Sequence, residues 1–326
     1  MAATPAHRPR ILVTRKLMPD VEARLQRDYA VTLNPRDTPM TADQIVAAAA
    51  ALDGLVVTSM DSCRAALLER LPPNIKIIAT VSVGYDHVEI PVARARGIAV
   101  TNTPDVLTDA TADIAILLML GAARGAHWGS RMIAENNWKA TTMIAPLGLD
   151  VSGRRLGILG MGRIGQAVAR RAAGFGMQLH YHNRSALAAE KAHGARFHGS
   201  FEAMLPQCDF LSINCASTPA TRKLIDARVL GLLPRGAILV NSARGDIVDD
   251  DALFAALDTG QLAAAGLDVY RGEPAIDARF RDHPKLFLLP HLGSATPDTR
   301  TAMGLRAADN LDAHFAGGKP RDLLTV

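Results

Sequence analysis

The chain has 326 residues, enough for about two globular domains with full cores, and its 48% hydrophobic and 21% charged residues exclude general disorder. A net charge of +4, carried by scattered arginines with only 4% aromatic residues, favours anionic small molecules mildly and argues against a nucleic-acid face. The most apolar stretch, Ile114 to Ala123, is half the length of a membrane span, and three cysteines without a CxxC pair predict neither disulfide nor zinc site.

The N-terminus offers only Ile11-Leu12-Val13 as an apolar run before Arg15 and Lys16, too little for a secretory signal, so a reducing cytoplasm is the expected home. Through the first hundred residues, β-branched runs (Ile11 to Thr14, Gly54 to Thr58, Ile75 to Thr80, Ile98 to Thr101) alternate with Ala- and Leu-rich helical segments. That alternation predicts a parallel sheet covered on both faces. Asn102-Thr103-Pro104-Asp105 reads as a hinge, and a second strand-helix series begins near Arg155. The expected fold class is α/β, with two open doubly wound parallel sheets in series.

Gly160-Met161-Gly162-Arg163-Ile164-Gly165 follows the apolar strand Leu156 to Leu159 and opens an amphipathic helix. In that context each glycine has a task. Gly160 makes the tight turn, Gly162 lets backbone approach a pyrophosphate, and Gly165 lets helix pack on strand. The helix N-terminus then stabilises the phosphates.

The next strand, Gln178 to His182, ends Asn183-Arg184-Ser185, where an NAD site would carry a carboxylate for the ribose hydroxyls. Without that acid a 2′-phosphate is not repelled, and Arg184 and Ser185 can bind it. The expectation is NADP(H) in preference to NAD(H), with NAD(H) still usable. His180 and His182 share a strand face but have no third ligand nearby in sequence, so no metal is expected.

Arg244, Glu273 and His291 follow the strands Ala237 to Ser242, Ala265 to Val269 and Leu286 to Leu289. In an open parallel sheet the carboxyl ends of strands form one edge, the edge on which the glycine loop also opens. An arginine, a carboxylate and a histidine there suit reduction of a ketone that neighbours a carboxylate. Arg244 binds the carboxylate and polarises the ketone, His291 protonates its oxygen, and Glu273 orients the imidazole and favours its protonated form. Pro290 to Gly293 is the second hinge, and Thr296-Pro297 reads as the start of a last helix reaching about Phe315.

These residues also carry a resemblance. Asn241 to Gly245, Leu267 to Tyr270 with Glu273-Pro274, and Pro290 to Thr296 resemble signatures of the D-isomer-specific 2-hydroxy acid dehydrogenases over nearly the whole chain. The resemblance implies a flavodoxin-like substrate domain, residues 1–102 with 292–326, and a Rossmann nucleotide domain, residues 103–291. It implies that the N–H groups of Val83 and Gly84 hold the substrate carboxylate and that Met60 and Trp138 line the pocket. It further implies that Cys215 and Ala216 line the adenosine side, that Asp268 meets the nicotinamide amide, and that Thr111, Thr221, Ser242, Ala243 and Gly293 contact the cofactor.

Asn183-Arg184-Ser185 and Trp138 look most like the NADPH-linked glyoxylate and hydroxypyruvate reductases. That likeness implies a homodimer in which an arm around Ala110 to Trp138, including the apolar helix Ile114 to Leu120, lies against a second copy that receives Trp138. In one departure, Ala216-Ser217-Thr218-Pro219 stands where that family usually has proline directly after the cysteine. The competing expectation is a dinucleotide-sensing regulatory protein on the same scaffold, since fold does not prove activity.

Overall fold

The computed structural model describes residues 8–138 and 142–325. Two compact units emerge, one comprising residues up to Leu107 and from Ala295 onward, the other Thr108–Ser294. Both are α/β units built on open, wholly parallel sheets, as the alternating pattern predicts.

The first unit contains β1 (Arg10–Val13), β2 (Ala30–Thr32), β3 (Gly54–Val57), β4 (Ile77–Thr80) and β5 (Ala99–Thr101), in the order β2-β1-β3-β4-β5. This is the flavodoxin-like order. Leu12, Leu55 and Ile78 enter one core, while Ile11, Val13, Val56 and Ile77 enter the other. Burial on both faces explains why these strands read as continuous apolar runs without alternation. The last helix, Pro297–Phe315, is capped by the Thr296 hydroxyl, which accepts the Thr299 N–H at 3.1 Å. Its Ala307, Ala308 and Leu311 share the core of Ile11 and Val13.

The second unit contains β6 (Arg155–Leu159), β7 (Gln178–His182), β8 (Arg196–Phe197), β9 (Phe210–Ile213), β10 (Ala237–Asn241), β11 (Leu262–Leu267) and β12 (Leu286–Leu288). Their order, β12-β11-β10-β9-β6-β7-β8, is the Rossmann arrangement with one added strand, and the order reverses between β6 and β9. The short edge strands β2 and β8 were not legible as apolar runs, because edge positions half in solvent need no such run.

One sequence reading is corrected here. The apolar helix at Ile114 to Leu120 was assigned to an intersubunit arm because it is too hydrophobic for a solvent face. In the structure it is part of the helix Thr108–Ala123, whose Ala112, Ala115, Leu118 and Met119 are buried in the core of their own unit. Gly266 of β11 lies against the Leu118 backbone, where a Cβ would come within 2.5 Å of the carbonyl oxygen. The hydrophobicity of this helix is thus used within the chain. The exposed apolar side chains come later: Ile133, Trp138, Met143, Ile144 and Leu147 are 61–94% exposed.

Candidate active site

β6 ends at Leu159, and the helix Arg163–Ala173 begins directly after the glycine loop. Gly160 has φ +93°, and a Cβ there would sit 2.6 Å from the Cys215 nitrogen, so this loop passes flush against the exit of β9. A Cβ at Gly165 would collide with the Gly160 carbonyl, whereas nothing lies within 4 Å of the place a Cβ would occupy at Gly162. The middle glycine therefore faces open space beside a helix start whose first N–H groups lack intrahelical partners, which is the cradle a pyrophosphate needs. Met161 is buried, Arg163 is exposed and Ile164 is half-buried.

Asn183 does not project freely from the end of β7. Its Oδ1 accepts the Met161 N–H at 2.7 Å and ties the glycine loop to β7, with exposed Arg184 and Ser185 following. Cys215 is half-buried, and burial pushes its thiol up to about 11, which makes it an uncharged wall and not a nucleophile at neutral pH. Ala216 is exposed, and Thr221 closes the loop by donating its hydroxyl to the Ala216 carbonyl at 2.7 Å. Ser242 Oγ is buried with no hydrogen-bond partner at the exit of β10.

The catalytic trio comes from three neighbouring strands, β10, β11 and β12, which is why residues 47 positions apart share one edge. His291 Nδ1 and Glu273 Oε2 are 2.6 Å apart. Glu273 Oε1 accepts the Tyr270 N–H at 2.5 Å. Burial alone would raise the Glu273 carboxyl, but the bonds from His291 and Tyr270 and the positive fields of His291 and Arg244 outweigh it and hold the group below the ordinary glutamate value. Arg244 is thus near enough for its charge to act on Glu273. A Cβ at Gly245 would clash with the Tyr270–Arg271 backbone, so the segments carrying Arg244 and Glu273 touch.

Because Glu273 sits below its ordinary value of 4.5, the folded state favours its carboxylate more than the unfolded chain does. The resulting stability is present above that ordinary value and is lost as pH falls through the folded value. Wild type is expected to melt above Glu273→Gln at neutral pH, and the gap should close on acidification. Thermal melts from pH 7 to 3 check this; a gap independent of pH contradicts the ionised pair.

Buried residues to which the sequence reading gave no such part hold the trio. Asn241, 1% exposed, accepts the Ala243 N–H at 3.0 Å and donates to the Arg244 carbonyl at 2.9 Å, which shapes the turn bearing the guanidinium. The Tyr270 hydroxyl donates to the carbonyls of Leu267 at 3.1 Å and Leu289 at 2.9 Å, lacing together the exits of β11 and β12. Asp268, expected at the nicotinamide amide, accepts the N–H groups of Leu292 and Gly293 at 2.7 and 2.8 Å. That grip holds the hinge turn in which His291 has φ +57°, a backbone state costly for a non-glycine residue. Thr111 donates its hydroxyl to the Gly293 carbonyl at 3.0 Å and secures the same turn. The only signal available beforehand was a polar residue at the end of each apolar strand.

Val83 and Gly84 belong to the first unit, in the loop after β4, and both are half-buried. Met60, in the loop after β3, is 67% exposed, and Trp138 of the second unit is 62% exposed. His180 turns to His198, their Nδ1 and Nε2 atoms 2.9 Å apart. Among the described residues no group of three His, Cys, Asp or Glu side chains could hold a metal, and no helix is long and apolar enough to cross a membrane.

The edge described here defines a dinucleotide-dependent α/β enzyme, and comparison with known proteins agrees. Residues 116–293 match the family model of the D-isomer specific 2-hydroxyacid dehydrogenase, NAD binding domain. Glycerate dehydrogenase of Hyphomicrobium methylovorum is 41% identical over 94% of this chain and 96% of its own length. Glyoxylate reductase of Thermococcus litoralis is 38% identical over 97% of each chain. The crystal structure of NADPH-dependent glyoxylate/hydroxypyruvate reductase from Sinorhizobium meliloti, in complex with NADP and malonate, superposes with a TM-score of 0.88 at 36% identity, covering 98% of this chain and 97% of that one. The chain belongs to the D-isomer specific 2-hydroxyacid dehydrogenase family. It is an oxidoreductase with a nicotinamide dinucleotide as cofactor.

Proposed function

We propose that the protein reduces short 2-oxo acids, glyoxylate and hydroxypyruvate among them, to D-2-hydroxy acids, with NADPH preferred over NADH. The observation that carries this reading is the His291–Glu273 bond of 2.6 Å beside the charge of Arg244, on the strand-exit edge that also bears the glycine loop. The bound cofactor supplies a hydride. Arg244 binds the substrate carboxylate and stabilises the charge that grows on the carbonyl oxygen. His291 gives that oxygen a proton through the ring nitrogen that Glu273 leaves unoccupied, and Glu273 steadies the imidazolium. The N–H groups of Val83 and Gly84 take the carboxylate as well.

In this reading Met161, Arg163 and Ile164 join the glycines around the pyrophosphate, and Asn183, Arg184 and Ser185 meet the 2′-phosphate. Cys215, Ala216 and Thr221 line the adenosine side, with Thr111, Ser242, Ala243, Asp268 and Gly293 toward the nicotinamide. Met60 and Trp138 shape the substrate pocket, Trp138 being supplied by a second copy in a cytoplasmic homodimer. The exposed apolar side chains from Ile133 to Leu147 support that assembly, since such patches mark interfaces. Substrate and nucleotide handling divide between the two units.

The test is a panel of short 2-oxo acids with each cofactor, followed by nicotinamide absorbance. Turnover of glyoxylate or hydroxypyruvate with a higher kcat/KM for NADPH is expected. No turnover with any of them would leave a dinucleotide sensor as the better description.

A further inference from the structure

The loop after β4 is held in a way that neither the trio nor the glycine loop requires. Thr103 N–H donates to the Ser82 carbonyl at 2.9 Å, and Asn102 Nδ2 donates to the Val83 carbonyl at 2.8 Å. Ser82 Oγ donates to the Gly84 carbonyl at 2.7 Å and curls the segment. The peptide bonds here are trans, the cis bonds lying at Ala145-Pro146 and Glu273-Pro274. In a planar trans peptide the N–H points opposite to the C=O. Drawing two successive carbonyls toward the segment that leaves β5 therefore turns the N–H groups of Val83 and Gly84 away from it, side by side. Among the described residues neither N–H has a protein acceptor. Two adjacent N–H groups aimed the same way form an anion cradle.

Asn102 is in turn clamped from behind. It is 8% exposed, its N–H donates to the Asp322 carbonyl at 3.4 Å, and its own carbonyl accepts Asn310 Nδ2 at 3.3 Å. Asn310 also donates to Asp322 Oδ2 at 3.0 Å, and Arg306 grips the same carboxylate at 2.5 and 3.0 Å. A buried amide with its backbone fixed on both sides has little freedom to move, so the direction of the Val83 carbonyl is set by residues far along the chain.

We propose that Asn102 is a positioning residue for the substrate carboxylate: its side-chain amide holds the Val83 carbonyl and so aims the N–H groups of the cradle. This rests on reading Val83 and Gly84 as the carboxylate site. Thr103 still pins the preceding peptide when Asn102 is lost, so the effect is graded and falls on binding of the anion more than on the chemical step.

The experiment compares glyoxylate with its methyl ester under saturating NADPH, in wild type, Asn102→Ala and Asn102→Ser. In Asn102→Ala the KM for the acid is expected to rise about tenfold, the scale of one charge-assisted hydrogen bond, with kcat within about twofold and the KM for NADPH unchanged. The ester, which lacks the charge, should lose little, so preference for acid over ester falls by a similar factor. Asn102→Ser retains a donor and should retain more of that preference; it also carries the test if the alanine variant does not fold. Equal losses on acid and ester, or a parallel rise in the KM for NADPH, would reduce Asn102 to a structural residue and overturn the proposal. A wild type with no preference for acid over ester would remove the cradle reading itself, before any variant is measured.

Discussion

Replacing His291 by alanine is expected to lower kcat for 2-oxo acid reduction by about two to four decades while leaving NADPH affinity nearly unchanged. The imidazole is one ring nitrogen away from free choice, since Nδ1 is committed to Glu273 at 2.6 Å and only Nε2 remains to serve the substrate. The turn that carries it is gripped by Asp268 through two N–H groups, so alanine removes the proton donor without releasing the backbone. Steady-state turnover measures the first effect, and quenching or enhancement of nicotinamide fluorescence on binding measures the second. A variant with full rate contradicts the general-acid role, and one that no longer binds NADPH would show that the ring supports the cofactor site instead.

The double variant Asn183→Asp with Arg184→Ala is expected to shift the NADPH to NADH ratio of kcat/KM by about two to three decades toward NADH. The change removes a guanidinium that can pair with a 2′-phosphate and introduces a carboxylate that repels it and accepts a ribose hydroxyl. The structure makes this exchange feasible. Asn183 Oδ1 accepts the Met161 N–H at 2.7 Å, and an aspartate oxygen can accept the same bond, so the glycine loop keeps its anchor. Kinetics with both cofactors at matched substrate concentration report the ratio. An unaltered ratio would mean that the 2′-phosphate is read elsewhere, and equal losses with both cofactors would mean that the anchor was lost.

The glycine loop was legible because its requirement is steric and local: a strand, a turn flush against a neighbouring strand, and a helix start demand glycine at Gly160 and Gly165 whatever surrounds them. The trio was legible through topology, since parallel strands bring their carboxyl ends to one edge, and β10, β11 and β12 are neighbours. The helix Thr108–Ala123 misled because hydrophobicity reports that a face is covered but not by what. Its cover proved to be β10, β11 and the glycine-loop helix of its own unit.

Periodicity, glycine spacing and strand-end chemistry, all properties of short stretches, were thus settled by the sequence alone: two parallel α/β sheets, a phosphate-binding turn, and an arginine, a glutamate and a histidine at successive strand exits. The tertiary structure alone decided which buried amides and hydroxyls orient them. Asn241, Asp268, Tyr270 and Asn102 each act through hydrogen bonds to backbone groups, and most of those partners lie on other strands or loops. A backbone carbonyl or N–H has no residue identity to read, so its partner becomes known only when the chain has folded and the two are within about 3 Å.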